Sequence, residues 1–304
     1  MKIIFMGTPE FAAVSLRKLV ECNMEIGAVF CQPDKASGRG NKIKPCAVKE
    51  YALSAGLPVY QPDRLREESV VSLINDLSPD LIAVVAYGKI LPEAILSIPR
   101  YGCVNAHASL LPKYRGSAPI QHALLNGEKT TGVTTMYLNR EMDAGDMIFS
   151  RPLVILPDET SDSLFERLAP LSAELLLDTV RAIEAGTAPR VAQDPKQATF
   201  APMISRELSP IDWTAPAEAI RAKIYALQSW PCATARFGDT DFKIFSAHPD
   251  AETSGEPAGT VLRADKTGLR VVCGDGKTLC ITELQASGGK RMSVASYLLG
   301  HKLP

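Results

Sequence analysis

Short unbroken apolar runs alternate with longer stretches whose apolar residues recur every three or four positions through the first half of the chain. The runs near Ile3–Met6, Ile26–Cys31, Leu81–Val85 and Gly102–Asn105 predict buried strands. Segments such as Phe11–Cys22 and Pro45–Ala55 predict helices between them. In the first helix Ala12, Leu16, Leu19 and Val20 mark one face, Gly7 makes the turn before it, and Thr8 and Pro9 suit an N-cap and a first helical position. Strand alternating with helix predicts an α/β fold, a mostly parallel sheet covered by helices.

Two further strands are predicted at Thr131–Leu138 and Met147–Leu156. A helix follows, with the stripe Leu164, Leu168, Leu171, Leu175 and Ile183, and with Pro170 inside it as an expected kink. From Gly186 to Ile204 the prolines Pro189, Pro195 and Pro202 fall without a period, the composition of an extended connection. The last hundred residues predict a helix at Pro216–Leu227. Five strands should follow, at Ala233–Phe237, Phe242–Ala247, Gly259–Ala264, Leu269–Cys273 and Thr278–Leu284, which suggests a small barrel. We therefore expect one domain over 1–186, a linker over 187–204 and a second domain over 205–304.

Apolar residues at 46% and charged residues at 22% fit a globular chain rather than a disordered one. Ile3–Met6 is too short for a signal-peptide core, and every later apolar run is broken by Pro, Gly or charge, so we expect a soluble, cytoplasmic protein. Seven cysteines without a C-x-x-C pair argue against disulfides and zinc, and four histidines show no ligand spacing, so no metal is expected. With a net charge of −1, nucleic acid could be bound only by a local patch. One exists: residues 34–49 hold Lys35, Arg39, Lys42, Lys44 and Lys49 against the single acid Asp34. Residues 205–304, with 12 basic and 11 acidic side chains, offer no such imbalance.

Candidate chemistry begins where the strand at Gly102–Asn105 runs into Val-Asn-Ala-His-Ala-Ser-Leu-Leu-Pro. Asn105 and His107, two apart on an extended chain, face one side, at the strand end where open α/β sheets bind ligands. The turn-rich Met142-Asp143-Ala-Gly-Asp146 could return Asp143 to the same edge to orient and charge His107. An amide donor beside a carboxylate-imidazole pair suits acyl transfer. From the residues alone, a strand-end histidine satisfied by backbone and an aspartate that only makes a turn stay open.

Asn105-Ala-His107, then Ser109-Leu-Leu-Pro-Lys-Tyr-Arg-Gly116 and Asp143-Ala-Gly-Asp146, together resemble the folate-dependent formyltransferase family. Phe5-Met-Gly-Thr-Pro-Glu-Phe-Ala12, Val85-Ala-Tyr-Gly-Lys-Ile-Leu-Pro92, Ser205-Arg-Glu and Ile211-Asp-Trp213 extend the likeness over nearly the whole chain, toward the branch that acts on methionyl-tRNA. The resemblance implies a Rossmann-like, mostly parallel sheet with helices on both faces, then a smaller OB-like β-barrel. It implies a monomer that moves a formyl group directly from 10-formyltetrahydrofolate to the amino group of methionine on initiator tRNA. Asn105, His107 and Asp143 would be catalytic, and Ser109, Leu110, Leu111 and Pro112 would line the folate site, with backbone from Tyr87 to Leu91 beside it. Arg39 would read the tRNA acceptor stem, Lys42 and Lys44 would add attraction, and Lys290 and Arg291 are weaker candidates. A formyltransferase acting on an amino sugar nucleotide shares the catalytic trio but has no need of the 34–49 insertion. A nicotinamide enzyme is disfavoured because Gly7-Thr-Pro-Glu-Phe lacks the G-x-G-x-x-G spacing.

Overall fold

The computed structural model of the chain describes the backbone of residues 1–37 and 42–303 and, apart from 35–37, 42 and 43, their side chains. Contacts divide the chain into two compact units. The first comprises Met1–Pro119, Thr130–Val154 and Phe165–Pro202, the second Ile120–Lys129, Ile155–Leu164 and Met203–Pro304.

The chain opens with β1 (Ile3–Gly7), α1 (Glu10–Glu21) and β2 (Ile26–Phe30), then a hairpin of β3 (Lys35–Ser37) and β4 (Lys42–Lys44). Next come α2 (Ala47–Ser54), β5 (Val59–Tyr60), α3 (Glu68–Asp76), β6 (Leu81–Val85), α4 (Glu93–Leu96) and β7 (Cys103–His107). After α5 (Pro119–Leu125), strands β8 (Thr130–Tyr137) and β9 (Met147–Val154) precede α6 (Ser161–Glu184), which continues through Pro170. Seven strands form one sheet in the order β5-β2-β1-β6-β7-β8-β9. Pairing is parallel from β5 to β7 and antiparallel for β8 and β9. Every residue of β1 and β6 is buried, which explains their unbroken apolar runs: a strand covered on both faces has no polar side to alternate with. The chain moves from β1 outward through β2 to β5 and returns to β6 on the other side of β1. Such a switch point opens a crevice at the carboxyl ends of the strands.

At that crevice Thr8 departs from the sequence expectation. Pro9, not Thr8, is the N-cap of α1, and no side chain caps the helix. The Thr8 hydroxyl instead donates to Tyr87 O (3.1 Å) and accepts the Gln32 N–H (3.3 Å), joining the ends of β1, β2 and β6. The acidic Glu10 in the first turn complements the helix dipole. Of the elements periodicity leaves unassigned, α3 is the longest, with only Val70 and Ile74 fully buried along its nine residues.

The second unit holds α7 (Ala217–Ala226), β10 (Ala233–Phe237), β11 (Thr240–Thr253), β12 (Val261–Asp265), β13 (Gly268–Val272), β14 (Lys277–Ala286), β15 (Met292–Ser293) and α8 (Val294–Leu298). Its antiparallel sheet runs β10-β11-β14-β13-β12, with β15 on β14. The five expected strands are all present, but closure into a barrel requires the end strands to pair, and among the described residues β10 and β12 do not. Shifts of register along β11 bend it instead. Among the described residues no helix is long and apolar enough to cross a membrane.

One ionic cluster in this sheet makes a test of its stability. The Arg270 Nε lies 2.8 Å from Asp250 Oδ2 and 3.7 Å from Glu252, and its Nη1 lies 3.7 Å from Asp265. The Arg270 hydrogen bond holds the Asp250 carboxyl below its usual range; the Thr267 hydroxyl and then its N–H do the same for Asp265, with Arg270 adding to the effect. A depressed folded pKa contributes stability that is present above about pH 4 and lost as pH falls through the folded value. Arg270→Gln should therefore lower the melting temperature at pH 7, with a penalty that shrinks as melts are taken to pH values below about 4. A penalty independent of pH would mean that packing, not charge, is what Arg270 supplies.

Candidate active site

At the end of β7 Asn105 is half-buried and His107 is 6% exposed. Beyond the strand the chain turns back on β8. Ser109 N–H donates to His107 O (2.9 Å), and the Thr134 hydroxyl donates to Ser109 O (2.8 Å) while accepting Leu111 N–H (3.1 Å). The Ser109 hydroxyl donates to Lys113 O (2.7 Å), so it is engaged within its own loop. Ser109 and Leu111 are buried, whereas Leu110 and Pro112 stay partly exposed.

This turn carries Tyr114 into positive φ (62°) and directs its carbonyl at His107 Nε2, 2.8 Å away. A carbonyl only accepts, so Nε2 donates. The other ring nitrogen, Nδ1, lies 3.8 Å from Asp143 Oδ2, within ion-pair range and longer than a hydrogen bond. Asp143 itself has φ 51°, and its Oδ2 accepts the Gly116 N–H at 2.8 Å. Glycine is required at 116, because φ is 121° and a Cβ there would stand 2.6 Å from Ala201 O. The structure thus brings His107 to the acid that spacing alone left as a possible turn residue, with Asn105 two residues earlier on β7. Among the described residues no hydrogen bond engages the Asn105 amide, which leaves its two N–H donors uncommitted.

Two residues at this site were not singled out from the sequence. Arg115, 8% exposed, donates from Nε and Nη2 to Gln193 Oε1 (3.0 and 2.8 Å). Gln193 Nε2 donates to Asp143 O (2.9 Å) and Gly145 O (2.8 Å). Gln193 belongs to the proline-rich stretch whose composition suggests a connection, and it is 50 residues from Asp143, so no local pattern signals the contact. Size of cavity is no guide either. A cleft of about 680 Å³ lined by Leu124, Asn126, Ile155, Pro216 and Tyr225 contains none of the three candidates, and neither does one of about 400 Å³ lined by Arg100, Tyr101, Tyr137 and Arg190.

Of the candidate cations, Arg39 lies outside the described residues, as does the side chain of Lys42. The hairpin pairs Ser37 with Lys42 and Lys35 with Lys44, and Lys44 is exposed. Lys49 is not free: its Nζ contacts Asp34 (2.5 Å) and Gln61 (2.6 Å), so this pair adds nothing to the patch. Arg291 contacts Glu283 (2.6 Å) and lies over the Phe245 ring, while Lys290 is exposed. Burial pushes the Cys31 and Cys103 thiols up to about 12, so neither is a thiolate nucleophile near neutral pH. Among the described residues no His, Cys, Asp and Glu group could hold a metal.

A family model described as formyl transferase matches residues 1–180, and a formyl transferase C-terminal domain matches residues 203–302. The methionyl-tRNA formyltransferase of Trichlorobacter lovleyi is 45% identical over 302 residues, 99% of this chain and 95% of its own. That of Alkaliphilus metalliredigens is 45% identical over 304 residues, 100% of this chain and 96% of its own. In fold, HypX from Aquifex aeolicus, solved with tetrahydrofolic acid, matches with a TM-score of 0.64 at 20% identity. The match covers 99% of this chain, which spans 47% of HypX. An N-formyltransferase from Helicobacter canadensis, solved with folinic acid and dTDP-3-aminofucose, matches with a TM-score of 0.68 at 16% identity over 92% of this chain and 98% of its own. With both family models and near full-length relatives in agreement, the chain belongs to the formyl transferase family.

Proposed function

We propose that the chain transfers the formyl group of 10-formyltetrahydrofolate to the α-amino group of methionine on initiator tRNA, in translation initiation. The observation that carries the chemistry is the His107 ring, set between Tyr114 O and Asp143 Oδ2, two residues after Asn105 on β7. Nε2–H is committed to Tyr114 O, so Nδ1, 3.8 Å from Asp143 Oδ2 and not hydrogen-bonded to it, is the position from which the ring can serve the substrate. The amine nitrogen attacks the formyl carbon, a C–N bond forms, and the carbonyl electron pair moves to oxygen in a tetrahedral intermediate. Asn105 and the His107 cation stabilise that oxygen, as preorganised donors do in acyl transfer. Collapse restores the C=O bond and breaks the bond from the formyl carbon to folate nitrogen, which takes a proton from His107. Asp143 sustains the cation and, directly or through water, accepts the surplus amine proton.

The acceptor is read from the relatives named methionyl-tRNA formyltransferase together with the basic insertion. Arg39, with Lys42 and Lys44, would meet RNA phosphates and exposed bases at the acceptor end. Ser109, Leu110, Leu111 and Pro112 would line the folate pocket. We read 1–186 as the catalytic domain, 187–204 as linker and 205–304 as a domain with an open, OB-like antiparallel sheet that contacts RNA elsewhere, in a cytoplasmic monomer.

Transfer of labelled formyl to initiator and elongator Met-tRNA tests this reading. Initiator-selective transfer is expected, and Arg39→Ala should raise KM for Met-tRNA while leaving KM for formyl-folate unchanged. Transfer to an amino sugar nucleotide and to neither tRNA would overturn the RNA reading and keep the catalytic trio.

A further inference from the structure

We infer that Gln193 is a positioning residue for formyl transfer, holding the Asp143 loop in register through the two ends of a single carboxamide. The inference rests on the catalytic reading of Asn105, His107 and Asp143. Asp143 occupies the left-handed backbone region (φ 51°), which aspartate enters more readily than most residues with a Cβ but still at a cost that surrounding contacts must offset. Its carboxylate is held by one backbone donor, Gly116 N–H, and its backbone by Gln193, whose Nε2 donates to both Asp143 O and Gly145 O.

The opposite end of the same side chain, Oε1, accepts two N–H groups of Arg115, the residue that precedes Gly116. One amide therefore bridges the two segments that clasp the Asp143 carboxylate. Gln193 Oε1 is also the only acceptor of the nearly buried Arg115 guanidinium among the described residues, so the bridge restrains both sides. The chemistry demands an acceptor at one end and two donors at the other. Asparagine is a methylene shorter. Glutamate has the length but only acceptors: it would keep Arg115 and turn an oxygen against the lone pairs of two carbonyls.

Gln193→Glu and the apolar Gln193→Leu are tested in the full-length enzyme, alone and in an Asp143→Asn background, with thermal melts alongside. Misplacing a reacting group by an ångström costs up to ~10²-fold, so kcat should fall by about 10- to 100-fold. KM for formyl-folate and for Met-tRNA should stay within about twofold of the unmodified enzyme, because the contact is not to substrate. Since Gln193 acts through Asp143, Gln193→Glu should slow the Asp143→Asn enzyme little further. If Gln193→Leu does not fold, the near-isosteric Gln193→Glu carries the test. An unchanged kcat, or a loss repeated in full on top of Asp143→Asn, overturns the inference. A slow Asp143→Asn enzyme beside a fast Gln193→Glu enzyme overturns this inference alone, whereas an Asp143→Asn enzyme at full rate overturns the catalytic reading with it.

Discussion

Replacing His107 by alanine is expected to lower kcat for formyl transfer by about 10²- to 10⁴-fold, the range seen when an oxyanion donor or a general acid is removed. The ring is the group proposed for both tasks, as donor to the developing oxyanion and as proton source for the leaving folate nitrogen. Its place between Tyr114 O and Asp143 is structural as well, since alanine leaves a buried carbonyl and a partly buried carboxylate without the ring. Melts must therefore accompany the kinetics. His107→Gln separates the roles: an amide can donate to one acceptor but carries no cation, so it should fold and stay slow. A His107→Ala enzyme within tenfold of the unmodified rate would sink the assignment.

Gly145→Ala should be the most damaging single methyl in the catalytic loop. A Cβ at this buried position would stand 1.8 Å from Tyr137 O and 2.9 Å from Tyr137 C, both backbone atoms that cannot swing aside. The loop must move, and with it the Gly145 carbonyl that Gln193 grips and the neighbouring Asp143. Overpacking of this kind costs about 1–3 kcal/mol in stability, and a displacement of an ångström at Asp143 costs about 10²-fold in kcat. Gly255→Ala is the control, because its Cβ would meet nothing within 4 Å and its φ is not in the left-handed region. Equal activity in the two variants would mean that the Asp143 loop tolerates displacement and that its position is not limiting.

The elements were legible wherever the signal lay in neighbouring residues. Unbroken apolar runs marked β1 and β6 because both faces of those strands are covered, and a period of two put Asn105 and His107 on one side of β7. Glycine at 116 sits where both φ and the approach of Ala201 demand it, but its sequence reading was only as part of a motif. Thr8 shows the limit of local rules. Its position before Pro9 is a good cap, yet its hydroxyl bonds to Tyr87 O, 79 residues on, which no helix propensity encodes.

What the sequence by itself determined was the order and type of most elements, the mainly parallel sheet and the polar pair at the end of β7. These follow from side-chain periodicity, which is written over a few consecutive residues. Only the tertiary structure decided that Asp143 reaches His107, that Gly116 holds its carboxylate from 27 residues away, and that Gln193 bridges Arg115 to the loop. It likewise decided that Lys49 is paired with Asp34 and Gln61 rather than added to the basic patch. Each of these depends on loops whose turns pass through positive φ at Tyr114, Gly116 and Asp143, and on how the connecting chain packs back against them. A loop's direction is set by a few such dihedrals and by distant contacts, so the meeting of its side chains has no period to read.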